Sequence, residues 1–230
     1  DRVAVAVWPL PFHRDWPRAE SYGGEDAPRY AETVRQLLAE GRRHFAEALE
    51  TPDRNFLWPD RTPRQPGAVD AYGDYLRFAR IVRAADPLTP LLSQMPPTPP
   101  PLAGWTVPDE FSRLTDIFAP PGHWLDPALG EKLADADHPL KGVWLAPGTP
   151  PYIPALGVLA TAADVRALPW FAMKYGCRGL LLPEVLNWPV ASLGTAAGAE
   201  TRLFYPARFG DEQAVVPSAR LKRLRRGLQD

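Results

Sequence analysis

TAADVRALPWFAMKYGCRGLLL, residues 161–182, decides the reading of this chain. Thr161 to Tyr175 reads as a helix. Gly176 is its stop, because glycine accepts the left-handed conformation that closes a last helical turn. Gly179 to Leu182 is an apolar run too short for a helix, so it reads as a buried strand. A helix feeding straight into a buried strand is half of a crossover unit, the connection that parallel neighbours in a sheet require.

Outward from this unit the alternation repeats. Val3 to Val7 reads as a strand ending at Trp8-Pro9. Pro28 to Glu50 reads as a helix, with Tyr30, Val34, Leu37, Leu38, Phe45 and Leu49 at helical spacing. Gly41 weakens its middle and leaves two helices as an alternative. Strands are expected near 3–8, 55–58, 88–93, 116–118, 143–146 and 179–182. Ala68 to Ala85 is a second helix, facing inward with Tyr72, Tyr75, Leu76, Ala79 and Val82. Residues 96–101, PPTPPP, form an extended loop. Asp126 caps a helix expected to run to about Ala136. Residues 189–215 read as irregular, with hairpin strands around Leu203 to Tyr205, and Pro217 to Leu228 reads as a basic terminal helix. Strand followed by helix, about six times, argues for an α/β fold with a parallel sheet. A barrel is one closure of such a sheet and an open doubly wound sheet is another. No glycine-rich phosphate loop follows any strand, which disfavours the nucleotide-binding forms.

Composition sets outer bounds. There are 26 basic and 27 acidic residues, a net charge of −1, so nothing recruits nucleic acid. Apolar residues make up 45% and charged ones 23%, the balance of a globular chain. The 29 prolines favour short elements joined by proline-rich loops. A lone cysteine, Cys177, excludes an internal disulfide framework and a cysteine zinc site. Four histidines without paired spacing offer no metal site, and no cofactor motif is present. No run of about 18 apolar residues exists, so no membrane span is expected. The chain starts at Asp1 without a Met or signal peptide, which suggests part of a longer polypeptide.

FLWPDRTP, residues 56–63, is the first chemical candidate. A short strand that stops at a carboxylate, Asp60, is how many (β/α) barrels present an acid. The same pattern serves as a surface ion pair with Arg61. Glu184 ends the last expected strand, and in a barrel the C-terminal strand ends meet over one pocket, so Asp60 and Glu184 would face each other there. A solvent-facing or structural Glu184 is the alternative. Trp8, Trp58, Trp144 and Trp188 each close an apolar run, and Trp105 and Trp124 sit in loops. Their rings suit the apolar C–H faces of sugars, or core packing. His13, Arg14 and Asp15 read as a loop ion pair or as rim residues. His123 reads as a structural histidine, Asp116 as buried structure or a cap, and Lys174 and Arg166 as scaffold. Arg220, Lys222, Arg223, Arg225 and Arg226 read as the solvated face of a helix whose apolar side is Leu221, Leu224 and Leu228.

Residues 165–188, VRALPWFAMKYGCRGLLLPEVLNW, and 217–230, PSARLKRLRRGLQD, together resemble the C-terminal part of the barrel in glycoside hydrolase family 123 and its related uncharacterised domains. Phe204-Tyr205-Pro206 matches that group's aromatic-Tyr-Pro, and VAVAVWPLPFHRDWPRAESYG is similar to its first strand and loop. The resemblance implies a TIM-like (β/α) barrel over 1–230 as a single domain, shortened to about six parallel strands, with an irregular segment and a C-terminal helix. It implies substrate-assisted hydrolysis of N-acetylhexosamine glycans, with an Asp that steers the acetamide and a Glu as general acid. Asp60 matches the Asp, but the Glu position holds Arg61 or Thr62, and a guanidinium cannot give up its proton at working pH. Asn187 and Trp188 fall where the group has an asparagine and a tryptophan.

Three functions are therefore expected. The first is a carbohydrate-binding domain with a degenerate active site, catalytic positions Asp60 and Glu184, and sugar contacts at Trp8, Trp58, Trp124, Trp144, Asn187 and Trp188. The second is an active glycosidase using Asp60 and Glu184. The third is a structural or assembly domain of a bacterial cell envelope. The Pro-, Ala- and Arg-rich composition fits a GC-rich bacterial source, and the expected location is secreted or in the envelope.

Overall fold

A parallel strand of two residues has almost no ladder of its own, so five of the six parallel strands here depend on what flanks them. The computed structural model describes residues 7–49, 54–59, 71–99, 106–126, 128–129, 140–148, 152, 154–157, 159–183, 185, 202–209 and 212–230. Five of the expected strand positions carry one: β2 (Asn55–Phe56), β3 (Leu92–Ser93), β4 (Ile117–Phe118), β5 (Gly142–Leu145) and β6 (Gly179–Leu180); β1 is Trp8–Pro9, at the expected end of the first strand, whose residues 3–6 lie outside the described residues. Pairing is parallel for β1 with β2, β3 with β4, and β5 with β6. The architecture is mixed α/β with parallel strands. Two compact units divide the chain: 1–118 with 136–142, and 119–135 with 143–230.

The first unit holds β1 to β4 and three helices: α1 (Pro28–Leu49), α2 (Ala71–Ala85) and α3 (Asp109–Leu114). A parallel bridge between Leu57 and Leu91 sets the chain of β2 beside that of β3. α1 is one helix through Gly41, whose missing side chain lets it approach Pro11 and Leu10; a Cβ there would lie 3.3 Å from the Pro11 ring. Tyr30, Val34 and Leu38 face inward and are fully buried. α2 buries all five residues that its spacing nominated. α3 has no counterpart in the sequence reading, because six residues are too few to show a period. Phe111 on α3 is fully buried, with its ring centroid 4.9 Å from Tyr72, 5.2 Å from Tyr75 and 5.8 Å from Phe118. Each such buried ring contributes about 1.5–3 kcal/mol.

Asp116 stands at the entry to β4 and binds on several sides. Its carboxylate accepts from the Leu91 amide at 2.9 Å, pairs with Arg83, and lies 3.2 Å from the Lys141 ammonium. Arg83 also donates to the carbonyls of Pro87, Thr89 and Leu114 at 3.0–3.1 Å. The Asp116 carbonyl accepts from the Gly142 amide at 2.9 Å. Asp86 does similar work at the end of α2. Its carboxylate accepts from Leu88, from the Thr89 amide and hydroxyl, and from Arg42 at 3.3 Å. Burial alone would raise the pKa of Asp86, but these hydrogen bonds and Arg42 outweigh it and hold the carboxyl below its usual range.

The second unit holds β5 and β6, α4 (Ala162–Lys174), an antiparallel hairpin of β7 (Phe204–Phe209) and β8 (Glu212–Pro217), and α5 (Ala219–Gln229). The hairpin is longer than the expected strands around Leu203 to Tyr205. A reciprocal cap fixes the start of α4: Thr161 accepts from the Asp164 amide at 3.2 Å, and Asp164 accepts from the Thr161 amide at 2.9 Å. Gly176 ends it at φ 63°, as expected. The last helix starts at Ala219 rather than at Pro217, which ends β8, and Ser218 caps it by accepting from the Leu221 amide at 3.1 Å. Leu145, Leu156, Val165, Leu168, Leu203 and Leu224 form the core of this unit. β6 is half-buried rather than buried. The expected apolar seam of the last helix needs correction as well. Leu228 is 64% exposed, and Gly227 is buried in its place. Arg220 is not part of a solvated face; its guanidinium donates to the Arg202 carbonyl at 2.6 Å and to the Tyr205 hydroxyl at 3.2 Å.

Gly227 lets α5 lie against the backbone of α4. A Cβ there would overlap the Arg166 carbonyl oxygen and sit 3.0 Å from its carbon. Gly227→Ala would gain about 1 kcal/mol of helix propensity, against an overpacking cost of about 1–3 kcal/mol or more. The expected outcome is net loss of stability, read as a lower denaturant midpoint, whereas an exposed helical glycine would give a gain. Asp116→Asn should cost about 2–3 kcal/mol, a little under the value for a fully buried pair because Lys141 is partly open to water. Urea titration of both variants checks the two values.

Candidate functional site

The expected site residues divide into three groups. Asp60, Glu184, Asn187 and Trp188 lie outside the described residues. Trp8 is placed in β1 by its backbone alone. Trp58, Trp124 and Trp144 are placed fully. Trp144 is buried in β5, its ring packed over Gly179, where a Cβ would meet the indole at 3.0 Å. It therefore fills the space between β5 and β6 rather than offering a face to a ligand. Trp58 follows β2, half-buried, with its indole N–H buried and without a hydrogen-bond partner among the described residues.

Trp124 belongs to a ring cluster in the second unit. Gly122–Trp124 forms a single 3-10 turn on the loop after β4. Ala146, just past β5, donates its amide to the Pro120 carbonyl at 3.2 Å, and Pro121 bridges to Ala146 in parallel. Gly148 then donates to the Pro154 carbonyl at 2.8 Å, folding the loop after β5 back on itself. These contacts set the two loops side by side. His123 stacks on Tyr152, with centroids 4.3 Å apart and planes 19° apart, and tilts against Trp124 at 4.6 Å and 54°. Tyr152 is 52% exposed, so one edge of the cluster meets water. Tyr152 was not singled out from the sequence. The available signal was its setting in PGTPPYIP, residues 147–154, a proline-rich loop directly after a strand.

Electrostatics give this cluster a neutral character. Burial lowers the pKa of His123, which favours the uncharged imidazole. Its Nδ1 is buried and has no hydrogen-bond partner among the described residues. A Cβ on Gly148 would lie 3.6 Å from that nitrogen, so the glycine leaves space beside it. Such a surface can stack on a flat apolar face. His13, Arg14 and Asp15 form a loop ion-pair group, with Arg14 and Asp15 3.6 Å apart. Cys177 is half-buried beneath α4, and burial pushes its thiol up to about 11, so it carries little thiolate near neutrality. Among the described residues no group of His, Cys, Asp and Glu could hold a metal ion. No helix among them is long and apolar enough to cross a membrane.

Comparison with protein-family models and with curated protein sequences finds no match.

The burial of His123 has a consequence for pH. The folded state holds its pKa below the unfolded value of 6.5, so the unfolded chain takes up the proton first. The contribution is constant above that value and is lost as pH falls through it. His123→Phe keeps a ring against Tyr152 and removes the proton site. Its denaturant midpoint should fall less than that of the parent between about pH 7 and pH 5. Parallel midpoint-against-pH curves would count against a buried neutral imidazole.

Proposed function

We propose that this chain is a shortened glycoside hydrolase-like (β/α) barrel domain that binds carbohydrate and retains little or no hydrolysis. The observation that carries this reading is the ring cluster of His123, Trp124 and Tyr152 on loops that follow parallel strands. In α/β folds such loops carry ligand sites. Half-exposed rings with a neutral imidazole suit the C–H face of a pyranose. The sequence resemblance at 165–188 and 217–230 adds the substrate class, an N-acetylhexosamine glycan. Asp60 is the acetamide-steering carboxylate in this reading, and Arg61 or Thr62 stands where the general acid would be. Loss of that acid lowers turnover by about 10²- to 10⁴-fold. Trp58, half-buried after β2 in the first unit, is a separate sugar contact in this reading. Export to the cell envelope or beyond fits an extracellular glycan.

Calorimetric titration with oligomers of N-acetylglucosamine and N-acetylgalactosamine tests the reading. Binding should be weakened about tenfold by Trp124→Ala and by Tyr152→Ala. Aryl N-acetylhexosaminides should turn over slowly or not at all. Ready turnover that Glu184→Gln abolishes would instead establish an active glycosidase using Asp60 and Glu184. Absence of both binding and turnover would leave the domain a scaffold.

A further inference from the structure

Two cavities adjoin along the seam of α4 and α5 in the second unit. One, of about 390 Å³, is lined by Ala162, Ala163, Ala167 and Trp170 together with Arg166 and Arg223. The other, of about 330 Å³, is lined by the first turns of both helices and by Tyr205, Arg220 and Arg223. Ala162 and Arg223 belong to both, so the two form one groove.

The groove is cationic and unbalanced. Arg166 is neutralised by Asp230 at 2.5 Å. Arg220 donates only to neutral acceptors, the Arg202 carbonyl and the Tyr205 hydroxyl, and its Nε is buried without a partner among the described residues. Arg223 makes no ion pair among the described residues. No lining residue is acidic. Asp164, in the first turn of α4 but not in the lining, accepts from the Thr161 amide and hydroxyl. Two guanidiniums therefore share a groove with no counter-charge in its walls.

Hydroxyls of Thr161, Ser218 and Tyr205 line the second cavity, whereas the first, beyond its two arginines, offers only three alanines and Trp170, and it states what the ligand's body must be. Alanine side chains offer no hydrogen bonds, so a polyol laid across them would leave hydroxyls unpaired. The Trp170 indole, 52% exposed with its N–H already given to the Gly227 carbonyl at 3.2 Å, presents an apolar face. A guanidinium fork matches a carboxylate in two parallel hydrogen bonds. From the groove we infer that the α4–α5 seam binds a small organic carboxylate with a flat apolar body, the body over Ala163, Ala167 and Trp170 and the carboxylate at Arg223 and Arg220. This site is separate from the ring cluster and its test does not depend on carbohydrate binding.

Calorimetry on the full chain with 2-naphthoate, with the uncharged 2-naphthalenemethanol and with inorganic phosphate tests it. Naphthoate should bind with a Kd on the order of 1 mM or tighter, and added salt should weaken it. Arg223→Gln should weaken it about tenfold. Ala163→Phe, at an exposed position, should fill the groove and block naphthoate while the circular dichroism of the chain stays unchanged. Equal affinity for the alcohol, equal affinity for phosphate, an unaltered Kd in Arg223→Gln, or no heat up to about 10 mM ligand would each overturn the inference.

Discussion

One carboxylate, Asp116, carries much of the order in the first unit. Two-residue strands exchange too few backbone hydrogen bonds to fix their own register, so side chains must do it. Asp116 accepts from the β3 segment through Leu91, holds α2 through Arg83, and faces Lys141 on the chain that enters β5. Arg83 extends the same network into the carbonyls of the α2–β3 turn. A charge this enclosed stabilises a fold only when it is well partnered, and here two cations and an amide meet it.

The second unit depends instead on close approach. Gly227 brings α5 against the Arg166 carbonyl, and Trp170 spends its indole N–H on the Gly227 carbonyl. Asp230 then reaches both Arg166 and Arg226. Helices packed this tightly tolerate a proline inside one of them. Pro169 lies in the body of α4, where a proline costs about 3 kcal/mol, yet the helix runs on to Lys174. Its caps and its buried face, Val165, Leu168 and Ala172, outweigh that loss. The small residues on the outer side of the seam leave the groove open, so one choice of residue sizes produces both the packing and the cavity.

The ring cluster shows how a proline-rich chain builds a surface without long elements. Pro120, Pro121 and Pro154 cannot donate hydrogen bonds, so they serve as acceptors and spacers while Ala146, Trp124 and Gly148 donate to them in turn. Loops tied in this way hold His123 between two rings at fixed angles. Its neutrality follows from the same enclosure, since burial disfavours the imidazolium.

The sequence by itself determined the alternation of strand and helix, the positions of the five later strands, the inward face of α2, Tyr30, Val34 and Leu38 on that of α1, and the stop at Gly176. These are local properties: hydrophobic period, helix punctuation and the short reach of apolar runs. Other features needed the tertiary structure. α3 exists because Phe111 finds a pocket of rings, which no six-residue pattern announces. Leu228 and Gly227 exchanged roles, because periodicity ranks apolarity whereas a close helix contact demands the smallest residue. Arg220 turned inward because a carbonyl and a hydroxyl awaited it. Tyr152 joined His123 and Trp124 across 28 positions of sequence through backbone bridges between two loops. Contacts between residues distant in sequence follow from packing, and no local pattern encodes them.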